Sequence, residues 1–138
     1  MSFTQNSRIL THQGAMAMLQ AAIARAEAMG RPQCIVIVDG SGEVIAVCRM
    51  TGAKFLSRKS AMAKALTAAS IGADSTSIPE AVRPLIGLAT DGAVTGLPGG
   101  LPIMVEGALL GGIGVGSGTG DEDIDVARAA LAAIGSAP

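Results

Sequence analysis

The chain has 138 residues, 49% of them hydrophobic and 15% charged, with a net charge of −1. That places it among folded single domains and excludes a disordered chain. Two Phe are its only aromatic residues, which argues against nucleic-acid recognition by base stacking, and the near-neutral charge argues against a general polyanion binder.

The first ten residues, MSFTQNSRIL, lack the basic and apolar stretches of a secretory leader. No apolar run reaches the roughly 18 residues of a membrane helix. A cytoplasmic protein is therefore expected, with Cys34 and Cys48 as free core thiols. Met16, Leu19, Ile23 and Ala26 recur at helical spacing and predict a helix over 12–29. Thr11 is placed to cap its start, and Gly30 and Pro32 to stop it.

CIVIV at 34–38 and EVIAVCRM at 43–50 read as strands, joined by the turn residues Asp39-Gly40-Ser41-Gly42. The first is apolar on both faces, which suits the centre of a sheet. An Ala-rich helix is predicted over 55–71, ended by Gly72. Residues 80–89 read as a short helix, broken near Pro84. From 93 the pattern returns to strands: Ala-Val-Thr-Gly, a Pro/Gly-rich segment at 97–102, then a hairpin around Glu106-Gly107. A last helix is predicted from near Asp121 to Ile134. Two hairpins with segregated helices point to an antiparallel α+β fold in one domain spanning 1–138. With 25 Ala and 19 Gly, such a core must bring backbones close together.

The charges are segregated. Residues 1–73 hold eight Lys/Arg and three Asp/Glu, a net of +5, and residues 74–138 hold two and eight, a net of −6. Arg49, Lys54, Arg58, Lys59 and Lys64 fall in a stretch with no acid. This reads either as solvated faces with self-association between the two signs, or as a basic rim for an anionic small molecule.

Few motifs carry chemistry. The glycine-rich 111–120 segment fits neither dinucleotide nor phosphate-loop spacing. The acids after it suit a helix N-terminus and would repel phosphate there. Asp121-x-Asp123-x-Asp125 lacks the glycine and closing Glu of a calcium loop, and no metal site is expected. His12, the single histidine, is a structural or solvent-exposed residue, or an axial ligand to a tetrapyrrole. Arg49 could hold a carboxylate bidentately. Lys64 either snorkels from its helix or serves a pocket. Asp39 is first a turn residue and second a proton-transfer candidate, as is Lys64.

Taken in order, Val38-Asp39-Gly40-x-Gly42, Arg49-Met50-x-Gly52-Ala53, Lys64-Ala65-x-Thr67-Ala68, Gly99-Gly100-Leu101-Pro102-Ile103 and Gly112-x-Gly114-Val115, closed by Asp123 and an Ala-rich helix, resemble the GlcG/HbpS-like family. That family also supplies the C-terminal domain of PduO-type cobalamin adenosyltransferases. The resemblance covers roughly residues 8–135. It implies a profilin-like three-layer α/β/α sandwich with a five-stranded antiparallel sheet, assembly into homodimers or larger oligomers, and haem as cofactor. The chain departs from the family in the loop Gly114-Val115-Gly116-Ser117-Gly118.

Two functions follow as expectations. One is a binding protein for haem or another planar anionic ligand, held by Arg49, Lys64, Gly99, Gly100 and His12. The other is a cofactor-independent isomerase, tautomerase or lyase of small-molecule catabolism, with Lys64 or Asp39 moving the proton and Arg49 anchoring a carboxylate. A pocket is expected where the Arg49–Gly52 turn, Lys64 and the 98–100 segment meet.

Overall fold

The computed structural model describes residues 1–136. Helix α1 (His12–Ala28) leads into strands β1 (Cys34–Asp39) and β2 (Val44–Arg49), then helix α2 (Ser57–Ile71). Two single 3-10 turns and the short helix α3 (Arg83–Ala89) follow. Strands β3 (Gly100–Val105) and β4 (Ala108–Gly116) and helix α4 (Gly120–Ala133) complete the chain. The order β2-β1-β4-β3 is antiparallel throughout.

The sheet has four strands, one fewer than the resemblance implies. Ala93–Gly96, predicted as a strand, joins no ladder because threonine side chains have taken its backbone groups. Thr90 Oγ1 accepts from the Val94 amide at 3.1 Å, and Thr67 Oγ1 accepts from the Thr95 amide at 3.0 Å while donating to the Ala63 carbonyl at 2.7 Å, with the Ala93 carbonyl 3.3 Å away. Backbone polar groups satisfied in this way have no need of a neighbouring strand.

Strand β1 is buried along Cys34–Val38 and central, as its two apolar faces predict. Alternation divides those faces. Ile35 and Ile37 join a cluster with α1 and α4, whereas Cys34, Val36 and Val38 join one with Ala61, Ala65 and Ala69 of α2. Cys34 and Cys48 thus serve opposite faces, as free thiols.

The Thr11 cap is present, its hydroxyl accepting from the Gly14 amide at 3.1 Å. The buried stripe of α1 runs through Ala15, Met18, Leu19, Ala22 and Ala26, and Met16, first of the residues at helical spacing, faces solvent. Small residues set the α2–β4 distance. A Cβ on Gly112 or Gly114 would collide with the carbonyl oxygens of Ala65 or Ala61, so the helix rests directly on the strand's backbone. Ala61, Ala65 and Ala69 of α2 and Gly112 and Gly114 of β4 are thus used inside the fold.

Candidate functional site

Two separate places gather the residues that the sequence singled out. The first is a buried polar knot below the 97–100 segment. Spacing from Ala61, Ala65 and Ala68 puts Lys64 on the buried face of α2, where it is only 4% exposed. Its ammonium donates to the Val115 carbonyl at 2.8 Å and to Asp123 Oδ2 at 3.0 Å. Asp123, 3% exposed in the first turn of α4, also accepts the Gly118 amide on Oδ1 at 3.0 Å. Gln33, fully buried, has its amide assigned so that the nitrogen donates to Asp123 Oδ1 at 2.7 Å and to the Gly116 carbonyl at 2.9 Å. Burial pushes the Asp123 carboxyl above its ordinary range, and the Lys64 ammonium pulls it partway back.

Gly99 and Gly100 roof this knot and are buried, not open to a ligand. Gly99 adopts a φ of +117°, and a Cβ there would press on the Val115 carbonyl and on Asp123. Ser75 fixes the roof, accepting the Gly100 amide at 3.0 Å and donating to the Leu97 carbonyl. Lys64 therefore neither snorkels nor lines a cleft, and every ligand-facing role expected of it has to pass through a closed ion pair.

The second place is an open cleft of about 500 Å³ between the C-terminal half of α1 and the end of β2. Ile23, Ala26, Pro32, Cys48 and Met50 give it apolar walls, and Arg49 borders it at the end of β2, paired with Cys34 and so on the α2 side of the sheet. Arg49 is exposed and has no ion-pair partner among the described residues. Arg31, which also borders it, is engaged with Glu122 at 3.1 Å. The pocket expected from the sequence is thus divided: the Arg49–Thr51 turn lines the cleft, and Lys64 and Gly99–Gly100 lie in the knot.

The other candidates are elsewhere. Asp39 behaves as the turn residue, with Oδ1 accepting the amides of Ser41 at 2.9 Å and Glu43 at 3.0 Å. It lines a different cleft with Arg8 and Leu109. His12 is exposed at the start of α1 and lines neither cleft. No group of His, Cys, Asp and Glu among the described residues is placed to hold a metal ion. No helix among them is long and apolar enough to cross a membrane.

Sequence reasoning missed Gln33 and Ser75. A Gln between Pro32 and Cys34 gives no signal of burial, because its partners come from β4 and α4, some 80 or more residues away. Asp123 was legible in part. It precedes Val126, Ala127 and Ala130 at helical spacing and so shares their buried face.

Comparison with known proteins finds relatives along most of the chain. A family model described as haem degrading protein HbpS-like matches residues 10–132. The corrinoid adenosyltransferase PduO of Citrobacter freundii is 37% identical over 120 residues, covering 83% of this chain and 36% of that protein. The chain spans about a third of the length of such curated relatives. A solved Klebsiella pneumoniae protein, ORFY, superposes with a TM-score of 0.93 at 25% identity, covering 100% of this chain and 99% of its own. A PduOC:heme complex superposes with a TM-score of 0.87 at 28% identity, covering 94% and 98%.

Proposed function

This chain belongs to the HbpS-like family, and from that premise we propose that it is a small-molecule binding protein whose ligand is haem or another planar anionic molecule. The observation that carries the reading is the apolar-walled cleft of about 500 Å³ at the end of β2, lined by Arg49. Its volume suits a small ligand, and the similarity to a PduOC:heme complex supports a tetrapyrrole. The frame we read around it is the profilin-like layered one, with α1 and α4 packed on one sheet face and α2 on the other.

The cleft suits the periphery of haem. Arg49, at the end of the edge strand β2, would reach round that edge to a propionate, and Ile23, Ala26 and Met50 would cover the ring. Cys48 and Met50 bring sulfur to the cleft, and His12 lies outside it. Haem supplies a redox-active iron when bound. The proton-transfer alternative has less support, because Lys64 is closed in its ion pair and Asp39 is occupied by its turn.

A haem titration of tag-free protein, followed by its Soret band, tests this. We expect saturable binding that Arg49→Ala weakens about tenfold and His12→Ala leaves unchanged. A broad, unsaturable band, or binding that ignores Arg49, overturns the reading. Loss of the sharp band in His12→Ala would move the ligand to the start of α1.

A further inference from the structure

A second cleft, of about 470 Å³, lies between α2 and the 91–93 turn, and its lining mixes signs. Arg58 and Lys59 come from α2 and Asp91 from the turn, with Met62, Leu66 and Ala93 as apolar surface. Among the described residues, no ion pair joins the two sides. Opposite charges that share a cleft of this size and stay apart leave room for a small ligand that carries both.

Both signs are held in place. Arg58 Nε donates to the Phe55 carbonyl at 3.2 Å, which leaves the two terminal nitrogens to grip a carboxylate. Asp91 adopts a φ of +54°, a left-handed conformation in which Asp and Asn are enriched. Its amide donates to the Leu88 carbonyl at 3.3 Å, the Gly92 amide to the Gly87 carbonyl at 2.7 Å and the Ala93 amide to the Thr90 carbonyl at 3.1 Å. The turn that carries the acid is thus tied at three successive amides.

The apolar surface runs on beyond the charges. Leu66 and Ala93 also line a neighbouring cleft of about 340 Å³, whose lining includes Ala69 and Val94. The charged end therefore opens onto space that an aliphatic chain can fill. A plain carboxylate would meet a like charge in Asp91, and a plain amine would meet like charges in Arg58 and Lys59. A zwitterion with an apolar side chain satisfies all three. We propose that this groove binds an aliphatic α-amino acid. Its carboxylate meets Arg58 and Lys59, its ammonium meets Asp91, and its side chain lies over Leu66 toward Ala69 and Val94. The groove shares no residue with the Arg49 cleft, and the proposal stands independently of the ligand there.

Isothermal titration calorimetry with L-leucine, isocaproate and isoamylamine tests this, because each of the two analogues lacks one of leucine's charges. Leucine should bind saturably at one site per chain, and each analogue at least about tenfold more weakly. Asp91→Asn should weaken leucine about tenfold but not isocaproate, which has no ammonium to lose. Arg58→Gln/Lys59→Gln should weaken both. The three substituted residues are exposed, Asn tolerates the backbone of Asp91, and thermal melts confirm that each variant folds. The analogue series reads the same contacts without any substitution. No saturable heat from leucine, with no rise in melting temperature at millimolar leucine, overturns the proposal. Isocaproate binding as tightly as leucine overturns it too, as does leucine binding that ignores either set of substitutions.

Discussion

At the scale of single residues, the buried Lys64–Asp123 pair has the most at stake. Removing one partner leaves the other charged and uncompensated, which typically costs about 3–5 kcal/mol. Lys64→Met should lose that much in urea unfolding at neutral pH, and Lys64→Met/Asp123→Asn should regain a large part. The pH dependence follows from the raised Asp123 carboxyl. A group that binds its proton more tightly folded than unfolded favours the fold below its ordinary range, and this contribution fades as pH rises through the raised value. The Lys64→Met deficit should therefore shrink as the pH is lowered from about 8 to about 4, because Asp123 without its cation takes up a proton more readily. A deficit constant across that range would mean that the lost methylene packing, not the charge, sets the cost.

The thiols differ for a related reason. Burial pushes the Cys34 thiol up, and Arg49 and Arg58 only partly offset this. Cys48 is half-buried and lines the Arg49 cleft. A disulfide reagent should modify one thiol per native chain, at Cys48, and a second only on unfolding. Rapid modification of Cys34→Ser at one site and none in Cys48→Ser would verify the assignment. Added haem should slow the reaction at Cys48 if the ligand occupies that cleft.

Between elements, close approach governs. Gly114→Ala places a methyl group against the Ala61 carbonyl and must lift α2 off β4. A loss of about 3 kcal/mol in chemical denaturation is expected. Gly87→Ala is the contrasting change. It lies within α3, its Cβ would make ordinary contact with the Val94 carbonyl, and it should stabilise by about 0.4–1 kcal/mol through the unfolded state. If both variants melted alike, the tight seat of α2 would not be what limits stability. The elements were largely legible because their signals are local: the Thr11 cap, the 39–42 turn, the apolar β1 and the Glu106-Gly107 hairpin. The missing fifth strand was not, because what diverts 93–96 is a pair of threonines, one of them 28 positions away from the amide it accepts.

The whole molecule resolves the segregated charge. Each of the four ion pairs among the described residues joins a cation from residues 1–73 to an acid from 74–138: Arg8 to Glu106, Arg25 to Asp125, Arg31 to Glu122 and Lys64 to Asp123. The asymmetry read as self-association is in good part consumed within one chain. Among the described residues it leaves Arg49, Arg58 and Lys59 without an ion-pair partner. The sequence could show that cations were in excess near residue 54. Which of them would be neutralised depends on contacts with α4 and the β3–β4 turn that no local pattern reveals, so the site was legible as a charge and not as a place.

The position of β1 between β2 and β4 has a consequence for how the protein is made. A chain synthesised from its N-terminus delivers β1 long before β4, the strand that must cover its second edge. Until roughly residue 116 has emerged, that edge and the seat of α2 stay open. Folding therefore cannot proceed stepwise with synthesis, and must wait for nearly the entire chain before closing in one late event. During that interval the apolar run Cys34–Val38 is exposed on an unpaired edge, the kind of segment that chaperones shield and that aggregates when they do not.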